Sequence, residues 1–175
     1  MEEKLINLVS LMREDLNKHF DAFYELTKKQ VFYTSYAITR DRDASEDILQ
    51  EVYLNFIKHL NRINLKKSIL GYLLKTSKNL SLNYIKKHKR EVIFDFDMVK
   101  EDSKPTPYHE LEMVEKIKKI IKPFEFEVLI LHVINDMTHK EIGEFLNKPI
   151  GTITYTYKCA IDKIRSEIYG NEEKN

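Results

Sequence analysis

Apolar residues along this chain recur at three- and four-residue intervals rather than in alternation, a spacing that predicts a succession of amphipathic helices. Leu5, Leu8, Val9, Met12 and Leu16 predict a first helix over residues 5–16, and Phe20, Phe23, Tyr24, Val31, Phe32, Ser35 and Tyr36 carry a longer one to residue 38. The polar run 39–43 interrupts it. Asp43 and Glu46 then have the spacing of a capping box, with Asp at the cap position. In the helix they open, Ala44, Ile48, Leu49, Val52, Tyr53, Phe56, Ile57 and Leu60 form one stripe. Glu46, Asp47, Gln50, Glu51, Asn55 and Lys58 lie off that stripe. A polar loop is predicted over 61–67. Ser68 then suits the N-cap of a helix running to about residue 89, with Leu70, Leu73, Leu74, Leu80 and Tyr84 inward.

After residue 90 the periodicity is mixed, and Pro105 and Pro107 fall close together among acidic residues, as in a linker. A short apolar patch over 92–96 is expected to pack locally. Helical spacing returns with Leu111, Val114, Ile117, Ile120 and Ile121 and stops at Pro123. Residues 124–134 predict a very apolar helix, and 135–137 a turn. Thr138 and Glu141 form a full Thr-x-x-Glu capping box ahead of Ile142, Phe145 and Leu146. Asn147 and Lys148 make the next turn. Pro149 is expected at the start of the last helix, where its ring costs little. That helix, over residues 150–168, turns Ile153, Tyr157, Ala160, Ile161, Ile164 and Ile168 inward. The predicted fold class is therefore all-α: a helical bundle domain over 1–90, an acidic, Pro-containing linker over 91–108, a second helical domain over 109–170 and a tail over 171–175.

Composition supports this picture. The 175 residues are 42% hydrophobic and 33% charged, with only four Gly and four Pro, which disfavours a loop-rich β protein. No stretch of about 18 apolar residues is present to form a membrane span, and no signal-peptide pattern opens the chain. Cys159 is the single cysteine, so no internal disulfide can form, which fits a reducing cytoplasm. The formal net charge of +1 hides a segregation of sign. Lys58, Arg62, Lys66, Lys67, Lys75, Lys78, Lys86, Lys87, Lys89 and Arg90 succeed one another with no Asp or Glu between them. Acidic stretches flank this block on both sides. Such a block lets a chain of near-zero net charge carry a polyanion site; it would also serve as an ordinary solvated Lys-rich face.

Residues 138–165 have the plan of a helix-turn-helix: a short helix, a tight turn and a longer helix, whose exposed N-terminal residues enter the major groove in DNA-binding proteins. An ordinary helical hairpin would have the same plan. The exposed positions of the longer helix are expected to be Thr152, Thr154, Tyr155, Thr156 and Lys158.

Three ordered segments resemble the sigma factors of bacterial RNA polymerase, of the extracytoplasmic-function (ECF) type. Asp43-Ala-Ser-Glu-Asp-Ile-Leu-Gln-Glu-Val-Tyr-Leu54 is similar to the "dAeDivQevfl" helix of region 2. Ser68-Ile-Leu-Gly-Tyr-Leu-Leu-Lys-Thr-Ser-Lys-Asn-Leu80 is similar to that region's "sf.aWL..iarNl" stretch. Glu141-Ile-Gly-Glu-Phe-Leu-Asn-Lys-Pro-Ile-Gly-Thr-Ile153 resembles the "EIAe.l..p.GTV" motif of region 4. There are departures: Tyr72 stands at the usual Trp, and Asn83 at a frequent Asp. Thr154, Thr156, Cys159 and Ile161 occupy positions that are usually basic.

The resemblance implies a promoter-specificity subunit that catalyses nothing alone and uses no cofactor. Asp47, Gln50, Glu51, Asn55 and Lys58 would dock on the RNA polymerase core. Asn61, Arg62, Asn64, Lys66 and Lys67 of the loop, with Lys75, Lys78, Asn79, Asn83, Lys86 and Lys87, would engage and melt the promoter −10 element. Lysines suit phosphate, and Asn side chains can hydrogen-bond an unstacked base. Thr138, Lys148, Thr152, Thr154, Tyr155, Thr156 and Lys158 would contact the −35 element. With so few basic residues in the last helix, weak −35 affinity favouring A/T-rich sequence is expected. An anti-sigma protein is a common partner in the family, although no residue here reveals one. The expected location is the cytoplasm, with no membrane contact.

Other chemistry finds less support. Asp41, Asp43, Glu46 and Asp47 lack the spacing and glycine of an EF-hand, and capping or partner contact explains them better. The six His and Cys159 lack zinc-ligand spacing, and no phosphate loop or nucleophile elbow occurs. Cys159, near the recognition face, could be a thiol sensor, but packing explains it more simply. Two other functions stay open: a helix-turn-helix regulator that never docks on polymerase, and a sigma mimic that occupies core without supporting initiation.

Overall fold

The computed structural model describes residues 1–91 and 111–170, with the side chains of 89–91 and 168–170 excepted. The described residues form eight α-helices and one 3-10 turn, with no strand. None of these helices is long and apolar enough to cross a membrane. The chain divides into two compact units, residues 1–90 and 91–175. The expected linker 91–108 falls almost wholly outside the described residues, as do the 92–96 patch, the 171–175 tail and the Ile168 side chain.

The first unit contains α1 (Glu2–Glu14), α2 (Leu16–Thr39), α3 (Arg42–Lys58), the 3-10 turn (Leu60–Arg62) and α4 (Ile69–Glu91). The first two boundaries differ from the sequence expectation. Asp15 is extended and its carboxylate accepts from the Lys18 amide at 3.2 Å, so Leu16 starts α2 instead of finishing α1. Likewise Asp41, not Asp43, caps α3, accepting from the Ala44 amide at 3.0 Å, while Asp43 sits in the first turn. Local capping geometry chose between neighbouring aspartates that sequence spacing alone could not rank.

Leu5, Val9 and Met12 of α1 are buried, and α1 lies along α2. Phe23 stacks on Phe56 at 4.7 Å between centroids, and Tyr53 meets Phe23 edge-on at 6.3 Å. The Tyr53 hydroxyl pairs with Thr27 Oγ1 at 2.7 Å, which satisfies both buried polar groups. Of the α3 stripe, Ile57 is only half-buried. In α4 the expected leucines share the inward face with Ile69, Ser77 and Ser81, both serines fully buried. Ser77 Oγ donates to the Val31 carbonyl of α2 at 3.1 Å. Leu70, Leu80 and Tyr84 are half-buried.

The second unit contains α5 (Leu111–Ile120), α6 (Pro123–Val133), α7 (His139–Leu146) and α8 (Ile150–Gly170). Val128, Leu131, Ile142 and Ile153 form its core, with Phe124, Met137, Phe145, Leu146 and Tyr157 packed around them. The Thr138 capping box forms as the sequence predicts. The Glu141 amide donates to Thr138 Oγ1 at 3.3 Å, and the Thr138 amide donates to Glu141 Oε2 at 2.8 Å. Asn147 takes the left-handed conformation (φ 54) that ends α7. As expected, α8 starts at Ile150, directly after Pro149, whose carbonyl accepts from the Thr152 and Ile153 amides at 3.0 and 3.2 Å.

Candidate nucleic-acid interface

On α3, Asp47, Gln50, Glu51 and Lys58 are exposed, and Asn55 is half-buried. Residues 47, 50, 51, 54 and 58 fall on one helical face. At its centre is Leu54, 68% exposed, which the sequence reading passed over because a lone leucine off the apolar stripe carries no pattern. The Asn55 carbonyl is occupied locally, accepting from the His59 amide at 3.2 Å and lying 2.8 Å from His59 Nδ1.

The α3–α4 connection exposes Asn61, Arg62, Asn64, Lys66 and Lys67 together. Along α4, Lys75, Asn79, Asn83, Lys86 and Lys87 are exposed, and Lys78 is half-buried. Positions 75, 79, 83, 86 and 87 follow one another at near-helical spacing, so they form a continuous Lys/Asn strip. Its chemistry suits a nucleic-acid backbone: ammonium groups for phosphate, with amides able to donate and accept at base edges.

In the second unit the expected reader set changes. Thr156 is 7% exposed and packs inward, one helical turn from Ile153 and Ala160, so it is not on the exposed face of α8 with the other expected contacts. Its neighbours along the sequence, Tyr155 and Tyr157, are larger, and apolar counting placed Tyr157 inside in its stead; Tyr157 is half-buried. Thr152, Thr154, Tyr155 and Lys158 are exposed as expected, Tyr155 at 71%.

Two of the remaining hydroxyls are already engaged. Thr154 Oγ1 lies 3.1 Å from His139 Nδ1, joining the start of α7 to α8. Thr138 Oγ1 donates to Glu141 Oε2 at 2.7 Å. Those Thr138 hydrogen bonds, side chain first and backbone second, hold the Glu141 carboxyl below its ordinary value. The Tyr155 phenol is raised above its ordinary value, chiefly by its hydrogen bond with Cys159 one turn along. Lys148 is exposed, and its amide donates to the Gly143 carbonyl at 2.9 Å.

Two further features support the helix-turn-helix without having a sequence motif. His132, His139 and Tyr157 form a ring cluster with centroids 4.7–5.1 Å apart, and His132 Nδ1 donates to the Met137 carbonyl at 2.7 Å. Glu125, 8% exposed, accepts from Lys163 Nζ at 2.6 and 2.8 Å through its two oxygens, tying α6 to α8. The contacts of Tyr157 with His132 and of Lys163 with Glu125 join residues far apart in sequence, beyond what local spacing can signal.

Residues 23–91, covering most of α2 through α4, match the family model Sigma-70 region 2. The chain is 24% identical over 133 residues to the ECF RNA polymerase sigma factor SigM of Bacillus subtilis, covering 73% of this chain and 81% of that protein. It is 25% identical over 168 residues to ECF RNA polymerase sigma factor SigW of the same organism, covering 85% of this chain and 89% of that protein. Its fold is similar to that of the sigma factor RpoE from Bartonella quintana, solved in complex with the anti-sigma factor NepR. The TM-score is 0.70 at 16% identity, over 87% of this chain and 98% of that one. Region 2 is thus matched in sequence over residues 23–91, and the chain is similar over most of its length to extracytoplasmic-function sigma factors.

Proposed function

We propose that this chain is an extracytoplasmic-function sigma factor that directs promoter-specific initiation through a division of labour between its two units. The α3 face of Asp47, Gln50, Glu51, Leu54 and Lys58 docks on the RNA polymerase core. The 61–67 connection and the α4 strip engage and melt the −10 element. Thr152, Thr154, Tyr155 and Lys158, with Lys148 beside them, contact the −35 element. The observation that carries this reading is the arrangement of the first unit. A mixed-charge face on α3 and an acid-free Lys/Asn strip on α4 occupy adjacent elements of the segment that matches region 2. A polymerase and a nucleic acid need different surfaces, and this unit offers one of each. The reading implies core polymerase and promoter DNA as partners, with an anti-sigma protein as a further one, and places the chain in the cytoplasm.

The test is reconstitution of the full chain with bacterial core polymerase and promoter DNA drawn from a genomic library. Promoter-specific transcripts are expected, and E51K or L54D should abolish them by preventing core binding. Core binding without transcripts would establish a sigma mimic instead. DNA binding without core binding would establish a regulator that acts independently of polymerase.

A further inference from the structure

The connection between α3 and α4 is held at both ends by one helix, α1, which precedes the segment matching region 2. At the entrance, the Arg13 guanidinium donates Nε and Nη2 to the Leu60 carbonyl at 3.2 and 3.1 Å, and Nη2 also to the Ile63 carbonyl at 2.6 Å. The Leu60 carbonyl also accepts from the Ile63 amide at 3.3 Å, which closes the 3-10 turn, so Arg13 reinforces that turn and adds a bond to the Ile63 carbonyl just beyond it. At the exit, Glu2 accepts from Ser68 Oγ at 3.2 Å and from the Ile69 amide, the first of α4. Midway, Asn64 closes a turn of its own, with Oδ1 accepting from the Lys66 amide at 2.9 Å and its carbonyl from the Lys67 amide at 3.0 Å.

Glu2 and Arg13 lie three helical turns apart, so they share one face of α1 and span roughly 16 Å along its axis. Their helix is itself fixed, because Leu5, Val9 and Met12 are buried. The result is a rigid ruler with a hydrogen-bonding group at each end. Every contact it makes with the connection is to backbone or to Ser68, which leaves Asn61, Arg62, Asn64, Lys66 and Lys67 pointing outward and unengaged by α1.

We propose that α1 is a brace that presets the 61–67 connection for DNA, with Arg13 and Glu2 as positioning residues that touch no nucleotide themselves. The proposal rests on the reading that this connection captures −10 DNA. A preset connection binds with its full intrinsic affinity, whereas a connection that adopts the competent shape a tenth of the time binds about tenfold more weakly.

The experiment uses holoenzyme assembled from bacterial core and the full chain, carrying wild type, R13A, R13K, E2A or R13A/E2A. The probe is the fork-junction DNA that wild-type holoenzyme selects from a pool with a randomised single-stranded segment. R13A and E2A are each expected to weaken fork-junction binding about tenfold while leaving core affinity and the thermal midpoint near wild type. R13K, which keeps the charge but loses the planar fork, should recover part of the loss. Amide exchange over residues 60–69 of the free chain should quicken in both single variants. Unchanged fork-junction binding by R13A/E2A overturns the brace, as does a parallel loss of core affinity and thermal midpoint, which would mark α1 as merely structural. If wild-type holoenzyme selects no fork-junction DNA at all, the −10 reading itself fails, and the brace fails with it.

Discussion

Lys163→Met should destabilise the helix-turn-helix unit more than Glu125→Gln, although the two changes break the same ion pair. The asymmetry comes from burial. The Glu125 side chain is 10% exposed and that of Lys163 is 40% exposed. Removing the lysine strands a carboxylate in the interior with only the Lys122 amide, at 2.8 Å, still donating to it. A fully buried pair broken this way costs about 3–5 kcal/mol, and solvent access on the lysine side reduces that here to about 2–3 kcal/mol. Glu125→Gln instead keeps an oxygen for both donors, and the released ammonium can turn to water. Its cost is the charge assistance alone, about 1 kcal/mol. For a unit of this size each kcal/mol shifts the midpoint by roughly 4–8 °C.

The pH dependence gives the same pair a second signature. Burial works to raise the Glu125 carboxyl, but the Lys163 hydrogen bond, the Lys122 amide and both positive charges outweigh it, leaving the group below its ordinary 4.5. A depressed carboxylate contributes stability that is full above its unfolded value and is lost as pH falls through its folded value. The wild-type unit should therefore lose this contribution below about pH 4.5. The variant E125Q should lose less over that window, retaining only the part contributed by Glu141, which is also depressed. The chain has no Trp, so the assay is amide exchange in α6 and α8 of the full-length protein, read as local unfolding free energy. A cost for E125Q equal to or above that of K163M, or identical acid profiles for wild type and E125Q, would refute the reasoning.

Three further perturbations test the elements that position the surfaces. Thr138→Ala removes the α7 cap and should cost about 1 kcal/mol, with exchange rising first in the first turn of α7, while Thr138→Ser should restore it. Gly143→Ala places a Cβ 2.8 Å from the Lys148 carbonyl, in the backbone of the tight turn. The overpacking cost of about 1–3 kcal/mol should exceed the gain of about 1 kcal/mol in helix propensity, giving a net loss in thermal unfolding. Ser77→Ala, which leaves the α2 face in place but removes the bond to Val31, should cost about 1 kcal/mol, and Ser77→Leu several times more, by urea unfolding of the first unit.

Why some of this was legible in the sequence and some was not follows from what each feature depends on. Helix type, order and approximate length rest on periodicity within one segment, and the capping box at Thr138 and Glu141 on a spacing of three. Both are local, and both appear in the structure as expected. The cap of α3 is local too, yet Asp41 and Asp43 are equivalent by type, and only the backbone's turn after the left-handed Arg40 (φ 58) decides between them. Thr156 failed for a different reason. Its small side chain is buried on the inward face of α8, where a hydropathy ranking prefers its tyrosine neighbours; burial followed size and direction, not polarity. Ser77 and Ser81 are the same lesson on α4. The Arg13, Glu2 and Glu125–Lys163 contacts link separate helices, and no periodicity within one helix can announce them.

The structure also sharpens where the DNA-binding strength should lie. The last helix already lacked basic residues at several positions, and it now loses Thr156 to the core, while Thr154 shares its hydroxyl with His139 and Lys163 is held by Glu125. Of the proposed −35 contacts, Lys158 and Lys148 are the exposed cations, with Arg165 farther along α8. The α4 strip and its preceding connection keep Arg62, Lys66, Lys67, Lys75, Lys86 and Lys87 exposed. Each phosphate contact adds about 0.7–0.9 to the slope of log affinity against log salt, the lower figure applying to single strands. K86A/K87A should therefore flatten the holoenzyme's salt slope by about 1.4–1.8, whereas K158A should flatten it by at most about 0.9. Y155A, which removes no charge, should leave the slope alone and shift the preferred −35 sequence. Promoter binding by the two lysine variants across a salt titration separates the cases. A larger slope change for K158A than for K86A/K87A would place the main electrostatic grip on the helix-turn-helix and overturn this division.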